Sequence, residues 1–77
     1  MVKFETKRTL AEISRYKDNA KRLTLTSWND NPAKLDLRIW TDIDTEPRPG
    51  KGVTLSIEEA QILAVMLTDY IQEITAE

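Results

Sequence analysis

Two short segments of the chain alternate polar with apolar residues, and their polar positions hold both tryptophans and several basic side chains. The segments are residues 22–28 (RLTLTSW) and 34–40 (KLDLRIW). We call their polar side the tryptophan face: Arg22, Thr24, Thr26, Trp28, Lys34, Asp36, Arg38 and Trp40. Aromatic rings stack on nucleobases and cations between them neutralise phosphates. This face therefore predicts binding of single-stranded nucleic acid.

The tryptophan face also fits two other interpretations. Trp and Arg dominate the energy of protein–protein interfaces, so the face is also typical of an interaction module that binds a protein partner. Either tryptophan also fits a packing role, in a dimer interface or beneath the loop over 41–50. Asp36 is the acid on this face, and we expect it to pair with Arg38 or Arg22 and to orient that guanidinium.

Catalytic and metal-binding chemistry lacks its usual residues. The sequence contains no His and no Cys, which removes thiolate nucleophiles, disulfides, histidine acid–base catalysis and the common zinc ligands. Residues 42–46 begin like a calcium loop, but Pro47 and Val53 stand where its glycine and closing glutamate belong. Gly50-Lys51-Gly52 lacks the second half of a P-loop. We expect no enzyme activity, no catalytic residue, no metal ligand and no cofactor.

The net charge of −2 conceals a strong polarity along the chain. Residues 1–38 hold nine basic and five acidic side chains, whereas residues 56–77 hold five acids and no Lys or Arg. Because the cations fall largely on the strands and the acids on the last element, the two ends attract opposite partners. The first half therefore favours a polyanion.

Turn and cap signals divide a single domain over 1–77 into five elements. We expect strands at about 4–16, 21–28, 34–41 and 52–55 and a helix at about 57–75. Alternation fails near Leu10–Glu12, which predicts a bulge in the first strand. Ser56 and Glu59 have the spacing of a capping box, which marks the helix start. The order ββββα predicts an α+β domain.

The apolar residues of the expected helix cover about half of its circumference, more than the stripe of about 100° that one contact needs. We call the apolar side of the two alternating strands the leucine face: Leu23, Leu25, Leu35, Leu37 and Ile39. We expect the helix to cover this face and also to pack on a second copy of the chain, because so short a chain buries a small core. A helix deep in a curved sheet is the alternative. The dimer candidates are Leu63, Met66, Leu67, Tyr70, Ile71 and Ile74.

Three short motifs occur in order along the chain. They are Trp28-Asn29-Asp30, Asp36-Leu37-Arg38-Ile39-Trp40 and residues 49–56 (PGKGVTLS). Their order and spacing resemble the positive cofactor four family of transcriptional coactivators, and YdbC-type bacterial members resemble the chain most. The resemblance covers residues 10–74.

The resemblance implies a curved four-stranded antiparallel sheet followed by one long helix, in a homodimer that forms through helices and sheet edges. It implies a groove that binds single-stranded DNA, or melted duplex, with little sequence preference. Trp28 and Trp40 match the family's stacking aromatics, and Arg38 and Lys51 match its basic positions. With the tryptophan face, the implied nucleic-acid-binding residues are Trp28, Trp40, Arg38, Lys34, Arg22, Lys21, Lys51, Thr24 and Thr26.

One motif departs from the resemblance, and some properties stay open. The turn over 29–33 (NDNPA) has no cation, whereas better-known members have lysines there, so we expect fewer phosphate contacts. The expected partners are single-stranded DNA or RNA and a second copy of the chain, with no membrane and no small-molecule cofactor. We expect a cytoplasmic, nucleoid-associated protein that acts in transcription or DNA maintenance.

Overall fold

Four antiparallel strands form one open sheet, and a single helix follows it. The computed structural model describes residues 3–76. The strand order β1-β2-β3-β4 is the order of the chain. The elements are β1 (Phe4–Tyr16), β2 (Asn19–Trp28), β3 (Lys34–Thr41), β4 (Arg48–Leu55) and α1 (Ile57–Thr75). The α+β class and the order ββββα predicted from the sequence are confirmed.

Two strands extend beyond the ranges that the sequence predicts. β2 begins at Asn19 rather than at 21, and β4 begins at Arg48 rather than at 52. Pro49 pairs with Trp40 in the β3–β4 ladder, so prolines at the start of a strand do not prevent pairing. The loop between β3 and β4 is therefore shorter than the expected range of 41–50. Within it, Asp42 has a positive φ of 53°, a turn conformation that Asp tolerates.

β1 is irregular along its whole length. The sequence predicts one bulge near Leu10–Glu12, whereas the pairing with β2 shifts register between Thr6 and Arg8, between Thr9 and Ala11, and between Glu12 and Ser14. Each bulge bends a strand and increases its twist. β1 therefore curls across β2, and Phe4, paired with Trp28, comes to lie against the tryptophan face.

Burial of the two sheet faces is the reverse of the expected arrangement. Thr24, Thr26, Asp36 and Trp40 of the tryptophan face are buried. On the leucine face, Ile39 is exposed and the leucines are only half-buried. The expectation that the helix covers the leucine face is therefore wrong. One residue, Ser56, joins β4 to α1, and the contacts of α1 with the sheet are mainly with β4.

α1 begins where the capping box predicts. The Glu59 N–H donates to Ser56 Oγ (3.1 Å), and the Ser56 N–H donates to Glu59 Oε1 (2.8 Å). This pair satisfies two of the donors that a helix start leaves free. No described residue of α1 is buried. Over residues 3–76, no helix is long and apolar enough to cross a membrane.

Candidate nucleic-acid interface

A carboxylate at the centre of the tryptophan face holds an indole and a guanidinium. Asp36 is 0% exposed. Its Oδ2 accepts hydrogen bonds from Trp28 Nε1 (3.1 Å) and Arg38 Nη2 (2.9 Å), and its Oδ1 accepts one from Arg38 Nε (2.7 Å). Two-point contacts between arginine and a carboxylate fix the guanidinium plane as well as its position. Asp36 therefore orients both Trp28 and Arg38. Of the two arginines expected to pair with Asp36, the structure shows Arg38.

Arg38 lies directly over the Trp28 ring. Its Cζ is 4.6 Å from the ring centroid, within the range of a cation–π contact. Both side chains are half-buried, so part of the pair remains open to solvent. A base stacking on this indole would thus have a fixed positive charge beside it.

The glycines of the 49–52 motif allow β4 to lie against Arg38. The Arg38 Nη1 group donates to the Gly50 carbonyl (2.9 Å). A Cβ built on Gly52 would lie 1.9 Å from the Arg38 Cβ, a distance that no side chain can occupy. Gly52 is therefore required by close approach of the two strands, as glycine in a strand interior often is.

Phe4 contacts both tryptophans. Its ring centroid is 5.6 Å from that of Trp28 and 5.5 Å from that of Trp40, both within the range of aromatic pairs. Trp40 is 3% exposed. The sequence allows Trp40 either an exposed binding role or a packing role, and its burial agrees with packing, because the curl of β1 brings Phe4 onto it.

The two threonines of the face are also buried rather than exposed. Their hydroxyl oxygens lie 2.7 Å apart, and Thr6 Oγ1 is 3.4 Å from that of Thr26. Each hydroxyl thus meets part of its hydrogen-bonding need within the sheet. Thr24 also lines a pocket together with Phe4 and Trp40.

The structure separates the basic residues into two groups. Arg22 lies on the tryptophan face and donates to Glu12 Oε1 through Nε (3.3 Å) and Nη2 (3.1 Å). Lys34 pairs with Thr26 and is exposed on the same face. Lys21 and Lys51 instead line a shallow depression with Leu37 of the leucine face, which Arg38 also lines. They are not brought to the two tryptophans.

The site is an aromatic cluster with a fixed arginine at its edge. The family model of transcriptional coactivator p15 (PC4) matches residues 15–64. The chain belongs to the PC4 family. PC4 domains are non-enzymatic and bind single-stranded DNA in transcription. No curated protein matches the chain.

The PC4 match covers the Trp28–Asp36–Arg38 group and the glycines of β4, but it begins after Phe4. Sequence reasoning did not predict a role for Phe4. The available signal was an aromatic residue at the start of a strand, and its importance depends on the register that pairs it with Trp28. Among residues 3–76, no group of His, Cys, Asp and Glu has the arrangement of a metal site.

Proposed function

We propose that this PC4-family chain binds single-stranded DNA through the tryptophan face, with little sequence preference and without catalysis. The observation that supports it most is the Trp28–Arg38 pair, a half-buried indole and guanidinium held by one buried carboxylate. Stacking contributes about 1–3 kcal/mol per base and tolerates any base. Because both side chains are already held in place, binding costs less of their conformational entropy.

The remaining binding residues act around that pair. Arg22 and Lys34 lie on the same face and neutralise phosphates, in addition to Arg38. Lys21 and Lys51 contact phosphates only if the bound DNA strand continues around the sheet to the leucine face. Trp40, Thr24 and Thr26 are buried. They contact the nucleic acid only after the aromatic side chains that cover them move.

We further propose that two copies form a homodimer through α1. The chain has an accessible surface of 6091 Å², whereas a compact monomer of its mass exposes about 4,800 Å². The excess is about 1,300 Å² per chain, enough for a stable interface of about 800 Å² per partner. The candidates are all more than two-fifths exposed: Leu63, Met66, Leu67, Tyr70, Ile71 and Ile74.

Sedimentation equilibrium at micromolar concentration should give the mass of a dimer. Ile71→Glu places a charge among the exposed apolar residues, so we expect at least a hundredfold weaker association, since burying an unpaired carboxylate costs several kcal/mol. Gln72→Glu is the matched control, because it adds the same charge at the neighbouring polar position. A monomeric wild-type chain, or equal effects of both variants, would contradict the proposed interface.

Oligonucleotide titration over a range of salt concentrations tests the binding function. If Arg22, Lys34 and Arg38 each neutralise a phosphate, log Kd should change with log salt by about 2 per chain, since each contact contributes about 0.7. Lys34→Gln should reduce this slope by about 0.7, whereas Lys17→Gln, in the β1–β2 turn, should leave it unchanged. Absence of binding at low salt would overturn the proposal and favour the protein-interaction alternative.

Parallel titrations with single-stranded RNA and duplex DNA identify the ligand class. We propose single-stranded DNA as the tighter ligand and a role in transcription or DNA maintenance, in the bacterial cytoplasm and near the nucleoid. The support is the PC4-family membership together with the order of the three motifs, which resembles YdbC-type members. Tighter RNA binding would reassign the role to RNA handling, because contacts to the 2′-hydroxyl distinguish the two ligands.

A further inference from the structure

Trp40 has an unused hydrogen-bond donor in the centre of the proposed site. Within the described residues, its Nε1 is buried and has no hydrogen-bond partner. A buried donor without an acceptor costs free energy, and native structures rarely leave one unless it serves a purpose. Its ring faces are equally inaccessible at 3% exposure. Stacking on Trp40, as the proposed function requires, needs a group to move away.

Phe4 is the group that covers it. The phenyl ring contacts both indoles in tilted geometry, with centroids 5.6 Å from Trp28 at 39° and 5.5 Å from Trp40 at 59°. Phe4 is itself 38% exposed. It therefore has a route outward that Trp40 lacks.

The backbone next to Phe4 is anchored, so the mobile part is the side chain. The Asn29 N–H donates to the Lys3 carbonyl (2.7 Å), and the Lys3 N–H donates to Asn29 Oδ1 (3.2 Å). The Phe4 ring can leave by rotation about its side-chain torsions while β1 stays paired, since rotamer changes at exposed residues are fast.

A cavity already adjoins the phenyl ring. It measures about 200 Å³, and Phe4, Trp40, Thr24, Arg22 and Pro47 line it. The lining combines aromatic rings, a hydroxyl and a guanidinium, the groups that contact the faces and edges of nucleobases. A ring that replaces Phe4 would enter beside space that is already open.

We propose that Phe4 is an intramolecular plug that occupies the position of a nucleobase. In the closed state its phenyl ring lies between Trp28 and Trp40. A base of the single strand displaces it and stacks against the indoles, and the Trp40 Nε1–H, which lies in the plane of its ring, donates to an oxygen of the neighbouring nucleotide. This inference rests on the proposed function, because it concerns the same ligand and the same face.

The plug predicts that removal of the Phe4 ring strengthens binding, whereas most mutations in a binding site weaken it. Apparent affinity is reduced by the fraction of molecules that are closed, so a variant without the ring should bind more tightly. We expect Phe4→Ala to lower the Kd for oligo(dT) about two- to tenfold, since an aromatic pair is worth about that factor. Phe4→Leu keeps apolar volume without a flat ring and should change Kd in the same direction. If Phe4 were a stacking residue, both variants would weaken binding.

The experiment combines titration with NMR of the two indole N–H groups on the full chain. The expected result is tighter oligo(dT) binding by Phe4→Ala and Phe4→Leu, and a downfield shift of the Trp40 indole proton on binding to the wild type. Leu10→Ala is the control, because Leu10 is also 38% exposed on β1, and its Kd should not change.

The outcomes separate the plug from the proposed function. If wild type and variants bind oligo(dT) but the Phe4 variants bind more weakly, or the Trp40 indole signal does not move, the plug is overturned while the binding function stands. If no variant binds at low salt, the proposed function fails first and the plug fails with it.

Discussion

Replacing Asp36 by alanine is expected to lower the free energy of unfolding by about 3–5 kcal/mol, the usual effect of removing one partner from a buried ion pair. The variant leaves the Arg38 guanidinium, whose side chain is 15% exposed, without its carboxylate. It also removes the acceptor of the Trp28 N–H. Urea denaturation at one fixed protein concentration measures the change, because the proposed dimer would make stability depend on concentration.

Glu12→Ala is the matched control for Asp36→Ala. Glu12 also accepts hydrogen bonds from an arginine of the tryptophan face, Arg22, but its side chain is 39% exposed. Solvent-exposed pairs contribute about 0–1 kcal/mol, so the control should cost little. Asp36→Asn should fall between the two, because the amide oxygen still accepts from Trp28 but carries no charge. Equal losses for Glu12→Ala and Asp36→Ala would show that Asp36 does not organise the site.

The two tryptophans are expected to differ sharply when each is truncated. Trp40→Ala should cost about 3–5 kcal/mol of stability, as truncation of a buried aromatic does. Trp28→Ala should cost less stability, because Trp28 is half-buried, and should lower oligonucleotide affinity by about 1–3 kcal/mol, the value of one stacked base. Urea denaturation and oligonucleotide titration of each variant measure the two effects separately.

Trp40→Phe distinguishes packing from hydrogen bonding at the buried position. It keeps an aromatic ring but removes the indole N–H, which has no partner among the described residues. We therefore expect most of the stability to return and the affinity for oligonucleotide to stay reduced. If Trp40→Ala proved as stable as the wild type, Trp40 would not be part of the core that the structure shows.

Local patterns predicted the elements well because the forces that define them are local. The alternation in β2 and β3 fixes which residues share a face, and the β2–β3 ladder keeps that alternation, with Leu23 opposite Leu37. The capping box at Ser56 depends on residues three positions apart. The resemblance to the PC4 family added the sheet order, and the structure confirms it.

The burial of the site was not predictable in the same way. The face that packs is decided by the curl of β1, which results from three register shifts with β2, and no residue type marks each of them. The contact of Phe4 with Trp40 joins distant parts of the chain. The course of α1 follows from the length of its joint to β4 rather than from its apolar pattern.

Only Ser56 separates the end of β4 from the start of α1, so the orientation of α1 depends on that of β4. β4 supplies the carbonyl that receives the Arg38 guanidinium, and α1 starts immediately after this strand with both capping bonds formed. The direction of the helix is therefore set by the same strand that completes the tryptophan face. If a second copy binds α1, as proposed, Ser56 and β4 set the angle between the two tryptophan faces and therefore the path of a DNA strand that contacts both.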